Sequence, residues 1–223
     1  SRFNIAAVDH ELEASLGLFI EELSRMGVHC TTPPLHFVDT YPVPFENKKF
    51  SAMTFDSADK SKYGIEPGFY FQRSRLLPFY SSALLAHELI HWVSATREPS
   101  MLAAGLEDGL CEFLGAFYLT AKVFGKEMAT NYMINTRYRS GRNQLSDSYT
   151  DHLRQAILLY KYHGLRALFA VVQSGRRSIR TAERQALSGN YRAALATGLV
   201  PENVDQPDIE SSADLLLTFP GTY

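Results

Sequence analysis

A chain of 223 residues is long enough to bury one sizeable core. With 45% hydrophobic and 21% charged residues it is neither disordered nor fibrous in composition. A net charge of −2 gives no basis for a dedicated nucleic-acid surface, and no run approaches the ~20 apolar residues of a membrane span. Two cysteines, Cys30 and Cys111, are too few for a disulfide framework. These features predict a single domain over residues 1–223, with no nucleic-acid or membrane partner and no visible signal peptide, in the cytoplasm. The basic cluster Arg176-Arg177-Ser178-Ile179-Arg180, with Arg184, reads as a solvated surface.

Along the chain, Asp9 to Arg25 reads as an amphipathic helix. Leu12, Leu16, Phe19, Ile20 and Leu23 recur at three- and four-residue spacing, and Gly27 closes it. Pro33, Pro34, Pro42 and Pro44 exclude helix from the segment that follows. Leu35 to Val38, Phe50 to Phe55 and Phe69 to Gln72 read as short strands, with a turn-rich stretch from Asp56 to Gly68. Ser81 to Val93 has the pattern of a buried helix, with Ser81 or Ser82 as N-cap. Met101 to Phe124 reads as one long helix or a broken pair, followed by helices over Lys126 to Tyr138, Tyr149 to Val172 and Thr181 to Ala196. Arg139 to Ser148 and the residues after Ala196 read as irregular. The expected class is α+β: an αβ region over 1–80 with a small sheet, then a mainly helical 81–223.

Inside the apolar helix stands His87-Glu88-Leu89-Ile90-His91, an H-E-x-x-H pattern. Positions i and i+4 share a helix face, so both imidazoles can reach one metal ion at about 2.0–2.1 Å. Glu88, next to the first histidine, can reach a metal-bound water as general base. Burying two neutral histidines without partners is costly, which favours a metal over coincidence. Zinc needs a third protein ligand and an open position. The acids of Gly105-Leu106-Glu107-Asp108-Gly109-Leu110-Cys111-Glu112-Phe113 are the candidates. Asp108 and Glu112 lie four residues apart on one face, so one can bind the metal while the other orients a histidine. Glu107 is a third possibility. Cys111 reads as a small core residue.

His87-Glu88-Leu89-Ile90-His91-Trp92 followed by this acidic helix resembles the gluzincin branch of the zincin metallopeptidases. It is also similar to the zincin domain of ArdC-type antirestriction proteins and, more distantly, ImmA-type peptidases. The resemblance covers Ser81 to Leu119. It implies a zincin-like fold, one Zn2+ per chain, and hydrolysis of a protein or peptide substrate by a metal-activated water with Glu88 as base. In that family the second helix typically reads E-G-L-A-E-Y, and its first glutamate is the third ligand. Asp108 stands in that register here. It is one methylene shorter, so the helix must come closer to the metal, and Gly109 could permit the approach. Among Tyr149, His152, Tyr160, Tyr162 and His163 as oxyanion donors, the stretch Leu159-Tyr160-Lys161-Tyr162-His163-Gly164 resembles the family's Y-x-K-G segment, with the register off by one, and points to Tyr160. A strand preceding the helix would pair with an extended substrate. The alternative function is a catalytically weak zincin domain that binds or regulates a protein; the presence of Glu88 favours the enzyme. A structural zinc site is disfavoured, because such sites prefer four ligands rich in Cys.

Overall fold

A computed structural model of the chain describes residues 5–77, 80–95 and 104–132, together with Ala156, Tyr160, Leu165, Leu168, Phe169 and Val172. The expected helices and loops over 139–148 and 181–196, the cluster around Arg176, and Tyr149, His152, Tyr162 and His163 lie outside these residues. The architecture is α+β: one small mixed sheet and mostly helices.

Helix α1 (Ile5–Arg25) buries Leu12, Leu16, Phe19 and Leu23, the stripe its spacing predicts. It ends at Gly27, whose φ of 75° suits glycine alone at little cost. Strands β1 (Leu35–Val38), β2 (Ala52–Phe55) and β3 (Gly68–Gln72) form a sheet of order β1-β3-β2, parallel between β1 and β3 and antiparallel between β2 and β3. Alternation sorts its side chains by face. Phe69 and Phe71 of β3 and Ala52 of β2 join the main core with the helices. Tyr70 and Phe55 turn to a second aromatic cluster with Tyr41 and Ile65. The sheet is therefore covered on both faces.

The stretch from Asp56 to Gly68, expected to be turns, contains a helix, α2 (Ser57–Tyr63). Asp56 accepts from the Ala58 and Asp59 backbone amides while Asp59 accepts from the Asp56 amide, a reciprocal capping box. Gly64 closes the helix at φ 72°. Hydrophobic periodicity cannot find this helix because it buries no residue.

Helix α3 (Ser81–Ala95) carries the H-E-x-x-H residues and is apolar around most of its circumference. Ala83, Leu85, Ala86, Leu89, Ile90, Trp92 and Val93 are all buried. Its entry differs from expectation. The Ser81 hydroxyl donates back to the Leu77 carbonyl at 2.8 Å, and that of Ser82 meets Ser15 of α1 at 3.0 Å. These serines tie α3 to its surroundings. The Trp92 indole donates to the Thr31 carbonyl at 2.9 Å and its ring meets Phe69 edge-on.

The expected long helix is continuous over the described part but changes pitch. Helix α4 (Ala104–Leu110) runs into a π-helical stretch (Cys111–Leu119) and then α5 (Thr120–Phe124). All nine residues of the π stretch are buried. It crosses α3 at Gly115. A Cβ there would stand 2.7 Å from the Ala86 carbonyl carbon and 2.8 Å from His87 Cα. Only glycine allows two helices this close without displacement. Residues 126–132 are again helical, and Ala156, Tyr160, Leu165, Leu168, Phe169 and Val172 are helical and buried in the same core. Among the described residues, no helix is long and apolar enough to cross a membrane.

Candidate metal centre

His87 and His91 project from the face of α3 that meets the acidic helix. The two Nε2 atoms stand 3.2 Å apart, and Asp108 Oδ1 of α4 lies 3.4 Å from His91 Nε2. One ligand atom from each of the three residues lies within 4.8 Å of the others. Around a tetrahedral zinc with ligand bonds of about 2.0–2.1 Å, neighbouring ligands are about 3.3 Å apart. Two of the spacings, 3.2 and 3.4 Å, match that separation, and all three donors are close enough together to hold a metal ion; two imidazoles and one carboxylate are donor types that zinc takes.

The opposite nitrogen of each ring has a carboxylate partner. Glu112 Oε2 lies 2.9 Å from His87 Nδ1, and Glu107 Oε1 lies 3.1 Å from His91 Nδ1. A carboxylate accepts, so each Nδ1 carries the proton and donates it. In the neutral rings both Nε2 atoms are then acceptors. Two acceptor lone pairs facing each other at 3.2 Å repel unless a cation, a proton or a metal, lies between them.

The three acids considered as third ligand thus take different places. Asp108 lies on the Nε2 side. Glu112 and Glu107 occupy the Nδ1 side, where they hold the rings. Glu112 faces His87 from the π stretch, immediately after the change of pitch. Glu107 is held in turn by the Ser94 hydroxyl, which lies 2.8 Å from the same carboxylate oxygen. A close approach between the helices is made at Gly115. Side-chain exposure rises from 6% at His87 to 17% at His91 and 29% at Asp108, so the cluster opens towards solvent on the Asp108 side.

Burial alone would lower the pKa of His91, but the Cys111 sulfur and the Asp108 and Glu107 carboxylates beside it prevail and raise it well above its ordinary value. Cys111 is wholly buried beside His91, and burial pushes its thiol up to about 12. At neutral pH it is a protonated core group, as expected.

Glu88 points towards the sheet. Its carboxylate accepts from the Thr54 hydroxyl of β2 at 2.6 Å. Nearby, Tyr41 donates to the Phe50 carbonyl at 3.0 Å, and its pKa is raised by burial and further by the negative charge of Glu88. Tyr160 lies in the main core, 6% exposed, with its ring 5.3 Å from that of Phe113. Thr54, Tyr41 and Gly115 escape sequence reading; no spacing rule, for example, links a strand threonine to a helix glutamate 34 residues later. Ser94 alone left a trace, one turn beyond His91 on the same helix.

Strand β2 forms the sheet edge nearest Glu88. The Gln72 amide donates to the Ser51 carbonyl at 3.0 Å, so the pairs 51/72, 53/70 and 55/68 exchange backbone hydrogen bonds. Ala52 and Thr54 therefore turn their amides and carbonyls away from β3. Among the described residues no strand pairs with that edge.

No protein-family model, curated protein or solved structure matches this chain.

Proposed function

We propose that the chain is a zinc-dependent peptidase of zincin type, holding one Zn2+ through His87, His91 and Asp108 and using Glu88 as general base. The observation that carries this reading is the facing pair of Nε2 atoms, each ring locked by a carboxylate at Nδ1, with Asp108 Oδ1 beside them. Such carboxylate–histidine pairs fix the tautomer and raise the basicity of a metal ligand. The donor set of two imidazoles, one carboxylate and an open side is that of a catalytic rather than a structural zinc site. Zinc bound there supplies Lewis acidity, activating water and polarising a peptide carbonyl. Glu88 takes the water proton and returns it to the leaving amine. An extended peptide adds to the edge of β2, pairing with the outward amides and carbonyls of Ala52 and Thr54. That edge runs past Glu88, so strand pairing brings a backbone carbonyl to the base. Tyr160 is the residue we assign to the oxyanion, on the resemblance of its segment.

Elemental analysis and a peptide-library cleavage assay on the same samples test the proposal. The wild type should carry one zinc per chain and cleave peptide. His87→Ala should lose both properties. Glu88→Gln should keep the metal and lose about 10²–10⁴-fold in rate. Tyr160→Phe should keep the metal and lose about 10²-fold; an unchanged rate would leave Tyr160 as core packing against Phe113. Zinc without cleavage of any peptide would favour a binding module, and no stoichiometric metal after zinc is supplied would overturn the assignment.

A further inference from the structure

We infer that Thr54 is a positioning residue for the general base, and that it couples substrate pairing to the placement of that base; the inference rests on the peptidase reading. Glu88 stands on a buried helix and is itself 5% exposed, so few waters can orient its carboxylate. Left without a donor, the group could rotate about its last bonds, and a base must be held within hydrogen-bond reach of the proton it takes. The Thr54 hydroxyl supplies the donor. At 2.6 Å from Glu88 Oε2 it is in the range of a charge-assisted O–H···O− bond. The same hydroxyl lies 3.3 Å from the Glu88 backbone carbonyl, so Thr54 sits directly over this residue of α3.

A hydroxyl has one proton, and the nearer carboxylate oxygen takes it. Oε2 is thereby turned to the strand, and Oε1 is the oxygen left for the water. Threonine is suited to this task. Its branched Cβ holds few rotamers, and β-branched residues favour strands. Ala52, two residues earlier on the same face, is buried against the core, which pins that face of β2 to the helices.

The backbone of Thr54 belongs to the opposite task. Its amide and carbonyl point outward from the sheet edge, the direction from which a peptide would pair. One residue therefore meets the substrate through its main chain and the base through its side chain. The register in which a peptide pairs at Thr54 sets which of its carbonyls lies opposite Glu88.

Thr54→Val and Thr54→Ser separate the hydroxyl from the packing. Valine keeps the branched shape and removes the donor; serine keeps the donor and removes a methyl group. With the wild type, each would be assayed for kcat and KM on one cleaved peptide, for zinc by elemental analysis, and for thermal unfolding. The expected result is zinc at one per chain in all three, KM little changed, kcat lower in Thr54→Val by about 10–100-fold, as for other residues that orient a catalytic group, and kcat within about threefold of wild type in Thr54→Ser. Equal kcat in Thr54→Val and wild type would overturn the inference and leave the peptidase standing. So would a greater loss in Thr54→Ser than in Thr54→Val, which would mark a packing role, or a rise in KM alone, which would mark substrate binding. Loss of zinc from Thr54→Val would overturn it too. A zinc-loaded wild type that cleaves nothing would overturn the peptidase reading and this inference with it.

Discussion

Both histidines have their two ring nitrogens committed to different tasks, and the acids that commit them differ in depth. Glu112 is 4% exposed and bonded to the more buried ring, so its charge acts through little water. Removing it should free His87 to rotate or change tautomer. Glu112→Ala is expected to weaken zinc binding by about 10–100-fold, with Glu112→Gln at the lower end because the amide oxygen still accepts from Nδ1. Competition against a chelator of known affinity reads this directly. Unchanged affinity in both variants would remove Glu112 from the centre. At this level the sequence was legible where spacing along one helix does the work: H-E-x-x-H placed both histidines and Glu88. It narrowed the proposed third ligand to Asp108, Glu112 and Glu107 without separating them. Consecutive or near-consecutive acids on one helix differ by rotation about its axis, and that rotation is set by how the helix packs.

Between elements, the decisive contact is the crossing of α3 and the π stretch. The wider π turn brings Glu112 to His87, while Gly115 lets the backbones approach at Ala86 and His87. π turns inside helices are frequent at functional sites, and here the turn follows directly after the acidic segment. A methyl group at residue 115 would meet backbone, which cannot swing aside as a side-chain tip can. Gly115→Ala is expected to destabilise the protein by about 1–3 kcal/mol, the usual cost of overpacking, and to weaken zinc binding through His87. Denaturant unfolding and the same chelator competition measure the two effects. Unchanged stability would show that the crossing is looser than described. The strands were readable as short apolar runs between prolines and turn residues, with alternation in Phe50 to Phe55, and the buried helix from its apolar run. Helix α2 was not, because it is held by its caps and buries nothing. Nor was the π stretch, since an apolar periodic run does not reveal its own pitch.

Taken whole, the molecule gathers a buried and a half-buried histidine and three acids between two helices, and the charges must balance. In the protein stripped of metal, a proton can serve as the cation between the rings, which accords with the raised pKa of His91. A group whose pKa is higher folded than unfolded stabilises the fold below its unfolded value, ordinarily about 6.5, and ceases to do so as pH rises through the folded value. Metal-free protein should therefore lose thermal stability as pH is raised above about 6.5. Zinc-loaded protein should melt higher and not show this loss, because metal replaces the proton. Zinc affinity should fall as pH is lowered, since the proton competes. Calorimetry of both forms across pH checks all three, and a metal-free midpoint that rises with pH would contradict the charge balance described. The residue types needed for the proposed chemistry, their placement on one helix, and the α+β class were present in the chain as periodicity and spacing, because these depend on local backbone geometry. Which acid faces the Nε2 atoms, which strand forms the edge beside Glu88, and that Thr54 meets the Glu88 carboxylate depend on contacts between residues far apart in the chain. Those arise only when the core closes, since packing of whole elements, rather than local geometry, sets their relative rotation and depth.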